Sequence, residues 1–233
     1  MSEKVKVFKN PLELAEKLTF DFINFIKDRK DVNIALAGGS TPKIFYETLA
    51  KHSSAVNWKR IHIYWGDERC VPPDHQDSNF RMTKEALFTH INFPPENIHR
   101  IYGENDPVRE ALRYEKEITS KIPSLKLDWV LLGLGPDGHT ASLFPNTENL
   151  KNENDLCVVE KHPESGQLRI SLSLQLLMSA KRITFLVTGA SKSEIIKKLL
   201  FEKIVSEDFP ASLLYHQRKD CEWWLDKEAY PSV

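Results

Sequence analysis

The chain has 233 residues, 41% hydrophobic and 28% charged, with a formal net charge of −1. That length can bury a sizeable core, and the composition is that of an ordinary globular protein. Acidic and basic residues are interspersed, which argues against a nucleic-acid-binding face or a polybasic membrane patch.

No apolar run approaches the ~20 residues that span a bilayer. The N-terminus, MSEKVKVFKNPLELAEKL, lacks the apolar core and cleavage site of a secretory signal. Cys70, Cys157 and Cys221 are odd in number and far apart, which fits reduced thiols in a cytoplasmic protein. No Cys or His pair has zinc-site spacing, so no metal is expected.

A first helix is predicted over residues 11–29, with Asn10 as N-cap, Pro11 in its first position and Glu13 closing a capping box. Leu14, Leu18, Phe22, Phe25 and Ile26 recur at helical spacing. A strand over 32–37 leads into Gly38-Gly39-Ser40, after which Thr41 can cap a helix begun by Pro42. A second strand, 61–65, ends in Gly66-Asp67-Glu68-Arg69. A polar, Pro-rich loop (71–77) and a helix (78–90) follow. Asp106-Pro107 opens another helix, and 129–132 is the third clear strand. Further strands are expected at 157–160, 168–172 and 183–188. Ser191 and Glu194 form a capping box for a helix over 192–202, and Trp223 and Trp224 lie in a C-terminal edge element.

Strand, glycine turn and helix thus recur at Gly38, Gly133 and Gly189. The pattern implies one α/β domain over 1–233, with an open, mostly parallel sheet between helices: a three-layer, Rossmann-like α/β/α arrangement. Ligands of such sheets bind beyond the carboxyl ends of the strands. The loops 38–41, 66–69, 133–139 and 189–192 should therefore converge on one site.

Gly133-Leu134-Gly135-Pro136-Asp137-Gly138 matches the dinucleotide pattern G-x-G-x-x-G. Pro145 stands only seven residues after Gly138, so the long helix that a dinucleotide needs cannot follow. The stretch instead presents His139, a natural general base near neutral pH; the alternative is a histidine that caps the next turn. Gly38, Gly39, Ser40 and Thr41 make an anion site at a helix start or, more simply, a helix cap. Lys192 sits in a first helical turn, where a cation is unfavourable unless an anion lies beside it. Arg69 can grip a phosphate or carboxylate, or pair with Asp67, Glu68 or Asp74. Arg169 begins a strand and can join the same pocket. Cys70 beside Arg69 is either an activated thiol or a small apolar filler.

LAGGSTP (36–42), WGDERCVPPDHQDSN (65–79), GLGPDGHTASLFP (133–145), TGASK (188–192) and PASLL (210–214) together resemble the 6-phosphogluconolactonase family. That family sits within a larger group that includes glucosamine-6-phosphate deaminase and sugar-phosphate-binding regulators. The resemblance implies hydrolysis of 6-phospho-D-glucono-1,5-lactone, with His139 activating water and no cofactor. It implies an oxyanion held by Arg69 or loop amides, and a phosphate held by Gly39–Thr41, Lys192, Arg69 and Arg169. Asp137 and Gly138 fall within the same substrate-binding set. In the deaminase a glutamate stands five residues after the histidine, where this chain has Phe144, and Asp-Glu-Tyr replaces Asp67-Glu68-Arg69. The counterpart of Asp67 there removes a proton from carbon; here Asp67 is expected to orient Arg69 or a substrate hydroxyl. A deaminase and a non-enzymatic sugar-phosphate sensor are the alternatives. The expected partner is a small sugar-phosphate lactone, with no nucleic acid and no membrane, in a monomer or weak homo-oligomer.

Overall fold

Asn10 starts the first helix as its sequence predicts. Its side chain accepts from the Glu13 amide at 2.9 Å, and Pro11 fills the first position. The return bond of the capping box lands one residue early, on the Lys9 amide at 2.6 Å. In the computed structural model, which describes residues 4–231, this helix is α1 (Pro11–Ile26), preceded by strand β1 (Val5–Phe8). It ends three residues before Arg29, where the chain tightens so that the Arg29 amide donates to the Ile26 carbonyl.

The remaining order is β2 (Val32–Leu36), α2 (Ser40–Lys51), β3 (Ile61–Trp65), β4 (Asp67–Arg69), α3 (Asn79–Ala86), α4 (Pro107–Lys121), β5 (Trp129–Leu132), β6 (Cys157–Lys161), β7 (Leu168–Leu172), α5 (Leu174–Ser179), β8 (Ile183–Val187), α6 (Ser193–Ile196), α7 (Pro210–Gln217) and β9 (Glu222–Asp226). Six strands form a parallel sheet in the order β1-β9-β8-β5-β2-β3, flanked by helices. WVLL in β5 and ITFLV in β8 are buried throughout, as central parallel strands covered on both faces must be. The tryptophans of β9 do not form an edge. β9 lies between β1 and β8, with Trp223 stacked on Phe185 and Trp224 on Phe8. Adjacent strand residues point to opposite faces, so each tryptophan packs beside an aromatic of a different neighbouring strand.

A second, antiparallel sheet has the order β4-β7-β6. Gly66 is the junction between the two sheets: its amide donates to Leu36 of β2, and its carbonyl accepts from Leu172 of β7. The apolar core is continuous between them.

Three local expectations shift. α2 begins at Ser40 with Gly39 as N-cap, so Thr41 does not cap it and its hydroxyl is used elsewhere. The helix expected over 78–90 has Ser78 as its cap but ends at Ala86, followed by a 3-10 turn, Phe88–His90. The helix expected over 192–202 breaks into a 3-10 turn, the short α6 and a π turn at Lys197–Phe201. Its N-cap is Lys192, so Glu194 stands at the second position and the Ser191–Glu194 box does not form.

Candidate active site

The predicted loops do converge. A cleft of about 240 Å³ is lined by Gly38–Thr41 at the start of α2, Asp67 and Arg69 of β4, the Gly133–Pro136 turn with His139, and Thr188 and Lys192 after β8. Arg169 of β7 completes the wall. The Thr41 and Thr188 hydroxyls are 2.6 Å apart and tie the first loop to the last.

His139 is oriented by its neighbour. Its Nδ1 lies 2.6 Å from Asp137 Oδ1, which also accepts from the His139 amide at 3.2 Å. A carboxylate only accepts, so Nδ1 carries the proton and the neutral ring keeps Nε2 as its acceptor. Partial burial pushes the Asp137 carboxyl upward, but hydrogen bonding and charge from His139 outweigh it and leave the group below its ordinary value. Gly135 allows this pairing: a Cβ there would stand 2.2 Å from His139 Nδ1 and 2.3 Å from Asp137 Oδ1. No helix follows the turn, in agreement with the position of Pro145. The buried Phe144 ring packs 5.0 Å from His139, so the residue five positions on is an apolar face and not a second carboxylate.

The cations are arranged for an anion. Arg69 and Arg169 are direct cross-strand partners in β4 and β7, a placement that is repulsive by itself. Neither is ion-paired to a carboxylate among the described residues, and the Nε of each is buried without a partner. Arg69 donates through Nη1 to the Asp77 carbonyl at 2.9 Å. Burial lowers the Arg169 pKa, Arg69 lowers it further, and Asp67 opposes them. Lys192, half-buried, is also lowered by burial, with Asp137 opposing. Across from them the first amides of α2 have no side-chain cap, because Gly39 (φ +102°) stands at the N-cap.

None of the three proposed acidic partners forms an ion pair with Arg69 among the described residues. Asp67 accepts from Ser142 Oγ at 2.6 Å and from Asn79 Nδ2 at 3.3 Å. Glu68 accepts from the amides of Arg69, Asn79 and Phe80 and from Ser78 Oγ, at 2.7–3.0 Å. The Asp74 carbonyl accepts from Arg81. Glu68, Asn79 and Ser142 are parts of the site that sequence reasoning missed. The only signal was Ser78-Asn79 at a helix start: Ser142 lies 75 positions from Asp67, and Glu68 meets residues 78–80 only once the intervening loop folds back.

Two expected contact residues do not line the cleft. Asp137 stands behind His139, to which it is hydrogen-bonded. Gly138 (φ +81°) turns the chain against Phe209, whose ring carbon would lie 2.9 Å from a Cβ. Cys70 is the filler: burial, with Glu68 and Glu110 nearby, pushes its thiol up to about 11.

Residues 11–223 match the family of glucosamine-6-phosphate isomerases/6-phosphogluconolactonase. A 6-phosphogluconolactonase of Haemophilus influenzae is 45% identical over 224 residues, covering 95% of this chain and 96% of its own. The crystal structure of a devB protein superposes with a TM-score of 0.91 at 40% identity, over 97% of each chain. A monomeric glucosamine-6-phosphate deaminase superposes with a TM-score of 0.85 at 28% identity, over 97% of this chain and 98% of its own. Both activities thus occur on this architecture. By its sequence over nearly the whole length and by its fold, the chain belongs to the glucosamine-6-phosphate isomerase/6-phosphogluconolactonase family.

Proposed function

We propose that the protein hydrolyses 6-phospho-D-glucono-1,5-lactone to 6-phospho-D-gluconate, a step of the oxidative pentose phosphate pathway. The single observation that carries this is the placement of an Asp137-oriented His139 in the same cleft as two unpaired arginines. His139 Nε2 takes a proton from water as the water oxygen attacks the lactone carbonyl. Asp137 stabilises the imidazolium that forms. Loop amides offset charge on the carbonyl oxygen of the tetrahedral intermediate. The C1–ring-oxygen bond then breaks, and the imidazolium returns a proton to the leaving oxygen.

Arg169, Lys192 and the α2 amides hold the phosphate, joined by Arg69 on the side facing β4. Fixing that remote group orients the carbonyl against His139. Asp67, held by Ser142 and Asn79, is left to accept from a substrate hydroxyl. The chemistry calls for water alone as co-reactant. The proposal places the enzyme in the cytoplasm, as one domain, monomeric or weakly self-associating, without nucleic acid or membrane partners. Among the described residues no helix is long and apolar enough to cross a membrane.

Phe144 favours hydrolysis over deamination, because an apolar ring cannot assist proton transfer during sugar ring opening. The test is direct. The purified protein should accelerate lactone hydrolysis over the spontaneous rate and release no ammonia from glucosamine 6-phosphate. Ammonia release without lactone hydrolysis would transfer the assignment to the deaminase.

A further inference from the structure

Asp67 is a carboxylate, 6% exposed, in a cleft wall that also holds two guanidiniums with unpartnered Nε atoms, yet it pairs with neither. Opposite charges in one cleft wall attract, and pairing with Asp67 would satisfy the buried Nε donors. The hydrogen bonds show what prevents it. Ser142 Oγ donates to Oδ2 at 2.6 Å, while Asn79 Nδ2 donates to Oδ1 at 3.3 Å and to the Asp67 carbonyl at 2.9 Å. The shorter bond, to a charged acceptor, is the stronger tether.

Ser142 is itself fixed. It is fully buried, and its amide donates to Ser171 Oγ at 3.2 Å. Ser171 is the cross-strand partner of Asp67 in the β4–β7 pair. Three residues before Ser142 stands His139. Between them Ala141 adopts φ +48°, a conformation that side-chain-bearing residues avoid unless their neighbours impose it. Both neighbours do so: Thr140 Oγ1 donates to the Gly133 carbonyl at 2.9 Å, and Ser142 is pinned to β4 and β7. The strained turn therefore delivers a hydroxyl to Asp67 from the loop that carries the base.

We infer that Ser142 is a positioning residue that holds the Asp67 carboxylate off Arg69 and Arg169, and so keeps both guanidiniums open to the substrate phosphate. This rests on the cleft being the phosphate-binding site proposed above. Without the Ser142 hydroxyl, Oδ2 is a buried acceptor lacking a donor, and the arginine Nε–H groups are donors lacking an acceptor. They satisfy each other, and the anion must then compete with Asp67.

The experiment is a double-mutant cycle read by calorimetric titration with inorganic phosphate, which has no sugar hydroxyl for Asp67 to contact. Ser142→Ala should weaken phosphate binding about tenfold, within the range over which contacting side chains couple. In an Asp67→Asn background the same Ser142→Ala change should have no effect, because a neutral amide does not capture the guanidiniums. A purely structural serine would weaken binding equally in both backgrounds, and that result overturns the inference, as does unchanged binding in S142A. If S142A does not fold, Asp67→Glu serves: the longer side chain carries its carboxylate past Ser142 and should give a similar loss, and wild-type affinity in D67E is the contrary result. A wild-type protein that hydrolyses the lactone but shows no coupling sinks this inference alone. One that hydrolyses no lactone sinks the proposed function, whatever the cycle shows.

Discussion

His139 receives its tautomer from one contact, the 2.6 Å approach of Asp137 to Nδ1. Asp137 lies outside the cleft lining, and its one hydrogen bond to another side chain among the described residues runs to the imidazole. Asp137→Asn should therefore lower kcat by about 10²-fold while leaving KM nearly unchanged, as steady-state kinetics would show. Lys192 makes the opposite kind of contribution. It is half-buried, lines the cleft and has no paired carboxylate among the described residues. Lys192→Ala should raise KM about tenfold or more with a smaller change in kcat; a loss confined to kcat would remove Lys192 from phosphate binding. At this scale the sequence was informative where chemistry is local. Asp137 and His139 are two residues apart, and the glycines before them limit what the turn can be. It picked out Asp67 but not its partners Asn79 and Ser142, which lie 12 and 75 positions away.

Elements reach the site through short connections, and these tolerate little. The Gly133–His139 turn has room for the dyad only because Gly135 lacks a Cβ. Gly135→Ala should thus cut activity by about the same factor as loss of the base, roughly 10²-fold or more, without unfolding the protein. Retained activity with a normal melting curve would show that the dyad is not needed. The α3 helix is held by Glu68, whose carboxylate gathers three amides and a hydroxyl. Burial nevertheless leaves its pKa raised, with the three amides opposing.

Caps and turns were legible because their residues are contiguous: Asn10 caps the helix it was expected to cap, and Asp106, before Pro107, caps α4. The Ser191–Glu194 box failed by one residue of register, which sequence spacing alone does not resolve. The position of β9 was not legible either. Strand order is set by which faces find cover after the chain has folded back, and β1 and β9 come from opposite ends of the sequence.

Across the whole molecule, a chain of polar side chains away from the cleft fastens α4 to β3. The buried His99 accepts or donates at His62 Nδ1 (3.0 Å) and meets Glu117 at 2.7 Å, and Glu117 also pairs with Arg113. Burial raises the Glu117 pKa, but its bonds to His99 and Arg113 overcome this and hold it below the ordinary glutamate value. A lowered folded-state pKa stabilises the protein above the unfolded pKa and loses that contribution as pH falls through the folded one. Glu117→Gln should therefore lose about 1–2 kcal/mol near neutrality, and the difference should shrink below about pH 4.5, as urea titrations at several pH values would show. A difference independent of pH would contradict the sign.

These supports matter because β3 runs directly through Gly66 into β4, which carries Asp67 and Arg69. The parallel sheet sets the ends of β2, β5 and β8 side by side, and the small sheet brings two arginines across from them. The most direct test of hydrolysis at this cleft is the rate of 6-phosphogluconolactone hydrolysis by the His139→Ala protein, measured beside its affinity for 6-phosphogluconate. The expected result is a fall in kcat of about 10²–10⁴-fold with product affinity largely kept. Undiminished hydrolysis by a folded His139→Ala protein would contradict the assignment of the base.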